Sequence, residues 1–441
     1  MPNAEFGITK VKLSLITEHA TRDKQFRFTS LHHLLNKDFL RGCFHCLDKK
    51  KAVGIDGVTW EDYSKDLEEN LDRLIRKVGR RSYKPLPSKR VYIPKNEHEK
   101  RPLGISAIET KIVESAVTRI LGSIYEVDFL PCSYGFRPAK CCHDALNALD
   151  KAVMFSPVNH IVEADIKGFF DNVSHERLME FLKIRIGDTA MLELIGKFLK
   201  AGFIDKGEFR ETNRGTPQGS ILSPLLSNVF LHYTLDVWFE CTVRAHVRGF
   251  VKLVRYADDF VIAVQYKDDT KRIEKAVQNR FAKYDLEIHP TKSRNISFGR
   301  FEKQNATTQK RKPNTFEFLG FTHFCDKTRS GKFKFGRKTQ RKKFVKACKN
   351  MWVWLKAIRN LKKAEVWWKT LRAKLHGHFN YYGISGNYPD INRFFFKVLK
   401  MTRYWMNRRS QKKNLTVVKF RKYLERYPLP KPEIKHAIYV Y

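Results

Sequence analysis

The stretch from Phe250 to Val264 constrains this chain more than any other. Phe250, Val251, Leu253 and Val254 lead into Tyr256-Ala257-Asp258-Asp259, and Phe260-Val261-Ile262-Ala263-Val264 lead out of it. Two apolar runs around a polar tetrapeptide predict two buried strands joined by a tight turn. Adjacent acids between such strands are costly unless a positive charge neutralises them. A hard divalent cation with oxygen ligands, such as Mg²⁺, is the natural partner. Read alone, the same four residues also suit an ordinary polar hairpin turn, in which Asp is common.

A second acidic strand end lies upstream. His160-Ile161-Val162-Glu163-Ala164-Asp165 predicts a strand that delivers Asp165 to the edge of a site, followed by a helix over Val173–Lys183 with Ser174 as its N-cap. Arg214-Gly215-Thr216-Pro217-Gln218-Gly219-Ser220 reads as a loop entering an apolar helix, with Gly219 allowing close backbone approach to a ligand. Arg90–Lys95 and Lys100–Ile105 predict two strands joined by a charged tip, where Lys95 and Arg101 could meet a triphosphate.

Elsewhere the pattern is largely helical. Residues 1–29 read as a flexible or loosely packed basic lead-in. Helical spacing follows from Ser30 to Leu47, over Asp62–Val78, Ile108–Tyr125 and from His143, and again over Asp268–Tyr284. Arg300–Asn314 reads as a loop or linker, Phe316–Phe321 as an apolar strand closed by Gly320, and a domain boundary is expected between Gly320 and Gly336. In the last hundred residues Phe344, Cys348, Trp352 and Leu355 form one apolar stripe; Trp367, Leu371, Leu375 and Phe379 form another. His376-Gly377-His378 lacks companion ligands and reads as structural. The eight cysteines suit reduced thiols, and Cys43-x-x-Cys46 has no second pair at zinc-site spacing.

Charge identifies the class of partner. The chain has 85 Lys and Arg against 46 acids, a net +39, and from Phe301 onward 36 basic residues face 7 acidic ones. Such an excess points to a polyanion, nucleic acid above all. No apolar run is long enough to span a membrane, and residues 1–13 lack the features of a signal peptide.

Taken together, these motifs resemble those of the group II intron-encoded reverse transcriptases, or maturases. The resemblance covers residues 28–441. It rests on Gly54-Ile55-Asp56-Gly57-Val58, Lys100–Ile105, Ser133-Tyr134-Gly135-Phe136-Arg137-Pro138, Asp165–Asp171, Gly215–Gly219, Tyr256–Asp259 and Phe318-Leu319-Gly320-Phe321. In the tail it rests on Gly377–Gly383, Asn407–Gln411 and Pro428-Leu429-Pro430. The resemblance implies an α+β right-hand polymerase of fingers, palm and thumb. Residues 30–90 would extend the fingers with helices, 91–325 would form fingers and palm, and 336–441 a helical thumb and maturase domain.

It further implies an RNA-directed DNA polymerase that copies intron RNA and assists its splicing and mobility. Asp165, Asp258 and Asp259 would be catalytic and, with Ile166, would hold two Mg²⁺ ions about 3.5–4 Å apart. Lys95 and Arg101 would steady the triphosphate, Gln218 would line the nucleotide pocket, and Phe170 would exclude the sugar 2′-hydroxyl. Lys342, Lys412 and Lys413 are candidate RNA contacts. Expected partners are group II intron RNA, an RNA or DNA template with a DNA primer, dNTPs and target DNA, in a bacterial cytoplasmic ribonucleoprotein.

Two departures stand out. Ala139-Lys140-Cys141-Cys142-His143 replaces the glycine and small polar residues that relatives often carry, and the sequence ends without the His/Cys cluster of their endonuclease region. A member without that domain is therefore expected. A related enzyme recruited to antiviral defence or CRISPR adaptation, or a splicing factor with a vestigial polymerase, stays open as an alternative.

Overall fold

The computed structural model describes residues 7–94, 99–290, 293–360, 364–409 and 415–438. Where a loose lead-in was expected, α1 (Gly7–Arg22) forms and packs against α5 (Ile108–Asp128). Leu13, Ile16 and Ala20 recur at helical spacing and meet the core, while the exposed Val11 and Leu15 blur that stripe in the sequence. Buried Arg185 secures the end of this segment by donating to the carbonyls of Asp23 and Phe26.

The next predicted helices are subdivided. A 3₁₀ turn (His32–Leu34) precedes α2 (Lys37–His45), because the Asn36 side chain accepts from Phe39 N at 3.0 Å and restarts the helix there. The run expected over Asp62–Val78 is two helices, α3 (Trp60–Lys65) and α4 (Leu67–Gly79). Thr59 and Asp62 form a capping box at the start, and Asp66 leaves helical geometry between them.

Strands β1 (Ser88–Pro94) and β2 (Lys100–Ile105) pair antiparallel, as the sequence predicts. After α5 come α6 (Cys142–Phe155), β3 (His160–Asp165) and the single turn α7 (Phe169–Asn172). Helices α8 (His175–Arg185) and α9 (Thr189–Leu199) are capped by Ser174 and Asp188. The short strands β4 (Phe203–Asp205) and β5 (Glu208–Arg210) complete a sheet of order β2-β1-β4-β5.

Helix α10 (Ser223–Leu231) then runs through two π-helical turns to α11 (Arg244–His246). Strands β6 (Val251–Tyr256) and β7 (Asp259–Val264), helix α12 (Lys267–Ala282) and β8 (Arg294–Ser297) build an antiparallel sheet of order β6-β7-β3-β8. Its central strands are buried on both faces. Val162, Leu253, Phe260 and Ile262 enter one core, with α5 and α10. Their alternating neighbours Ile161, Val254, Val261 and Ala263 enter another, with α6. This two-sided burial explains runs as apolar as Phe260–Val264.

The expected linker at Arg300–Asn314 contains α13 (Glu302–Thr308). Buried Glu302 accepts from Arg311 and from Asn314 N, so its charge reads as solvent-facing in sequence but is satisfied inside. Strand β9 (Thr315–Phe318) ends before Gly320; Phe321 opens β10 (Phe321–Lys327), which pairs with β11 (Phe333–Thr339). A continuous antiparallel hairpin thus occupies the stretch between Gly320 and Gly336.

The tail is helical: α14 (Arg341–Ile358), α15 (Ala364–Tyr382), α16 (Tyr388–Asn407) and α17 (Val417–Arg426) share a third core. Trp367, Leu371, Leu375 and Phe379 are buried in it as expected. On α14 the buried stripe is Phe344, Cys348, Met351 and Leu355, and Trp352 is exposed, since position 351 lies three past Cys348 and four before Leu355. His378 is partly buried and stacked on Phe394, a structural placement. Cys43 is buried, Cys46 is exposed, and the described cysteines are free thiols.

Candidate active site

The acidic hairpin forms as predicted. Tyr256 pairs with Asp259, leaving Ala257 and Asp258 as a two-residue turn with Ala257 at φ 57°. Arg255 holds this left-handed conformation from inside the protein. It is fully buried, and all five of its guanidinium donors are used. Nε and Nη2 clasp the Asp236 carboxylate at 2.7 and 2.5 Å. Nη2 also reaches Ser133 Oγ at 2.7 Å, and Nη1 reaches Asn228 Oδ1 at 3.1 Å and the Ala257 carbonyl at 3.0 Å.

The Ser133–Pro138 loop crosses directly beneath the turn. Tyr134 N donates to the Arg255 carbonyl, and a Cβ on Gly135 would stand 2.3 Å from Ala257 N. Sequence reasoning named the loop but missed Arg255 and Asp236. An arginine inside an apolar strand was the available signal, because a buried cation demands a buried partner.

Asp165 ends β3 directly opposite Asp259 on β7. Both are half-buried, and Asp258 adjoins them at the turn. Burial, then Asp165, Asp258 and Glu163, push the Asp259 carboxyl up to about 7, against a lowering hydrogen bond from the Leu319 backbone. Glu163 is itself paired with Arg294 at 2.9 Å. Among the described residues no three His, Cys, Asp or Glu side chains converge as a self-sufficient metal cage. The all-oxygen donor set still fits a hard cation, since Mg²⁺ is commonly held by one or two carboxylates together with waters and substrate phosphates. Ile166, counted with these ligands, follows Asp165 and has a buried side chain.

The Gln218 loop lies against the same region. Gly215 N donates to the Val173 carbonyl and Thr216 N to the Phe170 carbonyl, at 2.8 and 2.7 Å. Gly104 N on β2 donates to the Gln218 carbonyl at 2.6 Å. Gly219, at φ 112°, passes so close that a Cβ would lie 2.4 Å from the Gly104 carbonyl oxygen. Beyond it, Ile221 N donates to buried Glu114 on α5. Phe170, Asp171, Gly104, Thr216 and Gln218 line a cavity of about 270 Å³, so the structure brings Phe170 and Gln218 together.

Arg101 is exposed on β2, paired with Ile93 near the hairpin tip, and does not line this cavity. Lys95 lies outside the described residues, as do Lys412 and Lys413. Lys342 is exposed on α14, one turn before the exposed Lys346 and two before the exposed Lys349. The Leu319-Gly320 turn also went unrecognised. Both residues have positive φ, Tyr381 Oη donates to the Leu319 carbonyl, and the turn reaches Asp259. The Leu-Gly pair between apolar runs was its sequence signal.

Residues 93–323 match the family described as reverse transcriptase (RNA-dependent DNA polymerase). The chain is 38% identical over 226 residues to the group II intron-encoded protein LtrA of Lactococcus lactis subsp. cremoris, a match covering 51% of this chain and 37% of that protein. It is 35% identical over 240 residues to Protein YkfC of Escherichia coli K12, covering 48% and 63% of the two chains. To the putative COX1/OXI3 intron 1 protein of Saccharomyces cerevisiae it is 32% identical over 218 residues, covering 49% and 26%. In each case the chain spans less than two thirds of the relative.

Proposed function

Because the chain belongs to the reverse transcriptase (RNA-dependent DNA polymerase) family, among the group II intron-encoded proteins, we propose that it copies intron RNA into DNA and acts as a maturase on that RNA. The observation that carries this reading is the placement of Asp165 opposite Asp259, with Asp258 at the adjoining turn. In this reading Asp165, Asp258 and Asp259, with the main-chain carbonyl of Ile166, would hold two Mg²⁺ ions, which would supply activation of the primer 3′-hydroxyl and neutralisation of the leaving pyrophosphate.

The protein's own part is positioning. The Arg255 network fixes the turn that presents Asp258 and Asp259. Phe170 closes the pocket against a sugar 2′-hydroxyl, Gln218 borders the incoming dNTP, and Arg101 with Lys95 steadies its triphosphate. The β2-β1-β4-β5 sheet serves as fingers, the β6-β7-β3-β8 sheet as palm and α14–α17 as thumb. Residues 91–325 and 336–441 are the corresponding units, with residues 1–29 and 30–90 ahead of them. The basic tail takes intron RNA, and primer–template and target DNA are the further nucleic-acid partners. No helix among the described residues is long and apolar enough to cross a membrane.

Primer extension on an RNA template tests the assignment. Asp258→Asn or Asp259→Asn abolishes DNA synthesis while leaving RNA affinity nearly intact, because a ligand is lost and the basic surface is not. Extension by either variant at the wild-type rate would overturn it.

A further inference from the structure

Gln218 is held at its main chain, and its side chain has a partner that the reading above does not use. Its carbonyl accepts from Gly104 N, and its Nε2 faces both oxygens of Asp171, at 3.3 and 3.4 Å. We propose that Asp171 is a positioning residue that fixes the orientation of the Gln218 amide, and with it the affinity of the pocket for the incoming nucleotide. The inference rests on the nucleotide-pocket reading of Phe170 and Gln218 and deepens it.

Asp171 is itself rigidly based. Gly168, at φ 56°, starts the turn α7, and Asp171 N donates back to the Gly168 carbonyl at 3.0 Å. Asn172 Nδ2 ties off the carbonyls of Lys167 and Gly168. The preceding carbonyl, of Phe170, is the one that Thr216 N binds. The turn carrying Asp171 and the loop carrying Gln218 are therefore joined through their backbones on one side and through this side-chain pair on the other. Arg214, the nearby cation in the loop, pairs instead with Asp285, at 3.7 Å.

The chemistry gives the pair a direction. A glutamine amide offers an oxygen and an NH₂ group of nearly equal size, and a free one presents either. A carboxylate only accepts, so Nε2 is the end that must face Asp171. That leaves Oε1 and the second N–H of Gln218 for other partners. The adjoining cavity is polar enough to use them, because Arg90, Glu211, Thr212, Asn213 and Arg214 also line it. Phe170 and Asp171 then divide one task between neighbouring positions, the first facing the sugar and the second orienting the glutamine.

Steady-state single-nucleotide incorporation by the full chain, on a DNA primer annealed to RNA, tests this with Asp171→Ala, Asp171→Asn, Gln218→Ala and the double variant Asp171→Ala/Gln218→Ala. Releasing one side chain raises KM for the dNTP by about three- to tenfold in Asp171→Ala, with kcat within about twofold of wild type. Asp171→Asn falls between the two, because asparagine keeps the size but satisfies either amide orientation. In the Gln218→Ala background, Asp171→Ala has no further effect on KM. A loss through general damage to the fold would instead lower kcat and multiply with Gln218→Ala. Multiplying effects, or an unchanged KM in Asp171→Ala while Gln218→Ala raises it, overturns the positioning role alone. An unchanged KM in Gln218→Ala overturns the pocket reading and this inference with it.

Discussion

For its proposed task of excluding a hydroxyl, Phe170 has a firm base. Its carbonyl is bound by Thr216, and its ring meets Phe169 edge-on at 5.5 Å. Phe170→Ala or Phe170→Val is expected to admit ribonucleotides in single-nucleotide incorporation, since selection by exclusion fails once the ring is shortened; unchanged discrimination would move the gate elsewhere. Glu114 supports the Gln218 loop from the opposite side. Burial pushes its carboxyl up to about 7, despite hydrogen bonds from Ile221 N and Ser220. With the folded pKa above the usual value of 4.5, the folded state binds the extra proton between roughly pH 4.5 and 7, so stability falls as pH rises through that window and stays low above it. Glu114→Gln keeps an acceptor for Ile221 and removes the charge. It should be near neutral in urea unfolding at pH 4 and stabilising by up to about 3 kcal/mol at pH 8. The acids of the candidate site were legible because nothing apolar explains them. Arg255 and Glu114 were not, because their partners lie far away in sequence and only the fold supplies them.

At the scale of elements, the crossing of the Gln218 loop over β2 is one of the tight joints near the site. Gly219→Ala adds a methyl against the Gly104 carbonyl, at a φ that side chains resist, so backbone must shift. Gly104→Ala meets the Ser88 side chain, with its hydroxyl at 2.7 Å, which can give more easily. Primer extension is therefore expected to fall at least about tenfold in Gly219→Ala and distinctly less in Gly104→Ala; equal losses would show that the crossing is not what limits the loop. Several elements were legible from their apolar pattern: β3, β6, β7, α5 and α15 each bury the residues that pattern selects. The misread elements have two causes. In α1 and α13 polar or charged residues outnumber the few that reach a core, and the division between α3 and α4 depends on the backbone of Asp66 rather than on any apolar gap.

For the molecule as a whole, cationic charge is concentrated in the tail. The helices α14–α17 bury an aromatic core and turn basic residues outward, within a segment that carries 36 of the 85 cationic residues. RNA binding should therefore weaken steeply with salt, the logarithmic slope tracking the number of phosphates contacted. Charge reversal at Lys342, Lys412 and Lys413 is expected to weaken binding of structured intron RNA and slow splicing at physiological salt. Extension on a short primer–template stays near normal. Filter binding, splicing and extension on the same preparations check this: equal losses in all three would assign the tail to polymerisation in general, and no loss would place the RNA surface elsewhere.

The sheet that carries the acids also restricts how this site can change over evolutionary time. Ile161, Glu163 and Asp165 share one parity on β3, and Asp259, Val261 and Ala263 share one on β7, with the two cores fixing which parity faces which way. Substitutions can be absorbed one at a time. A single-codon insertion or deletion inside either strand shifts the phase of everything beyond it, exchanging the contents of both cores and turning one acid away from the other. Length variation in such a lineage is therefore excluded from β3 and β7 and confined to loops outside the site.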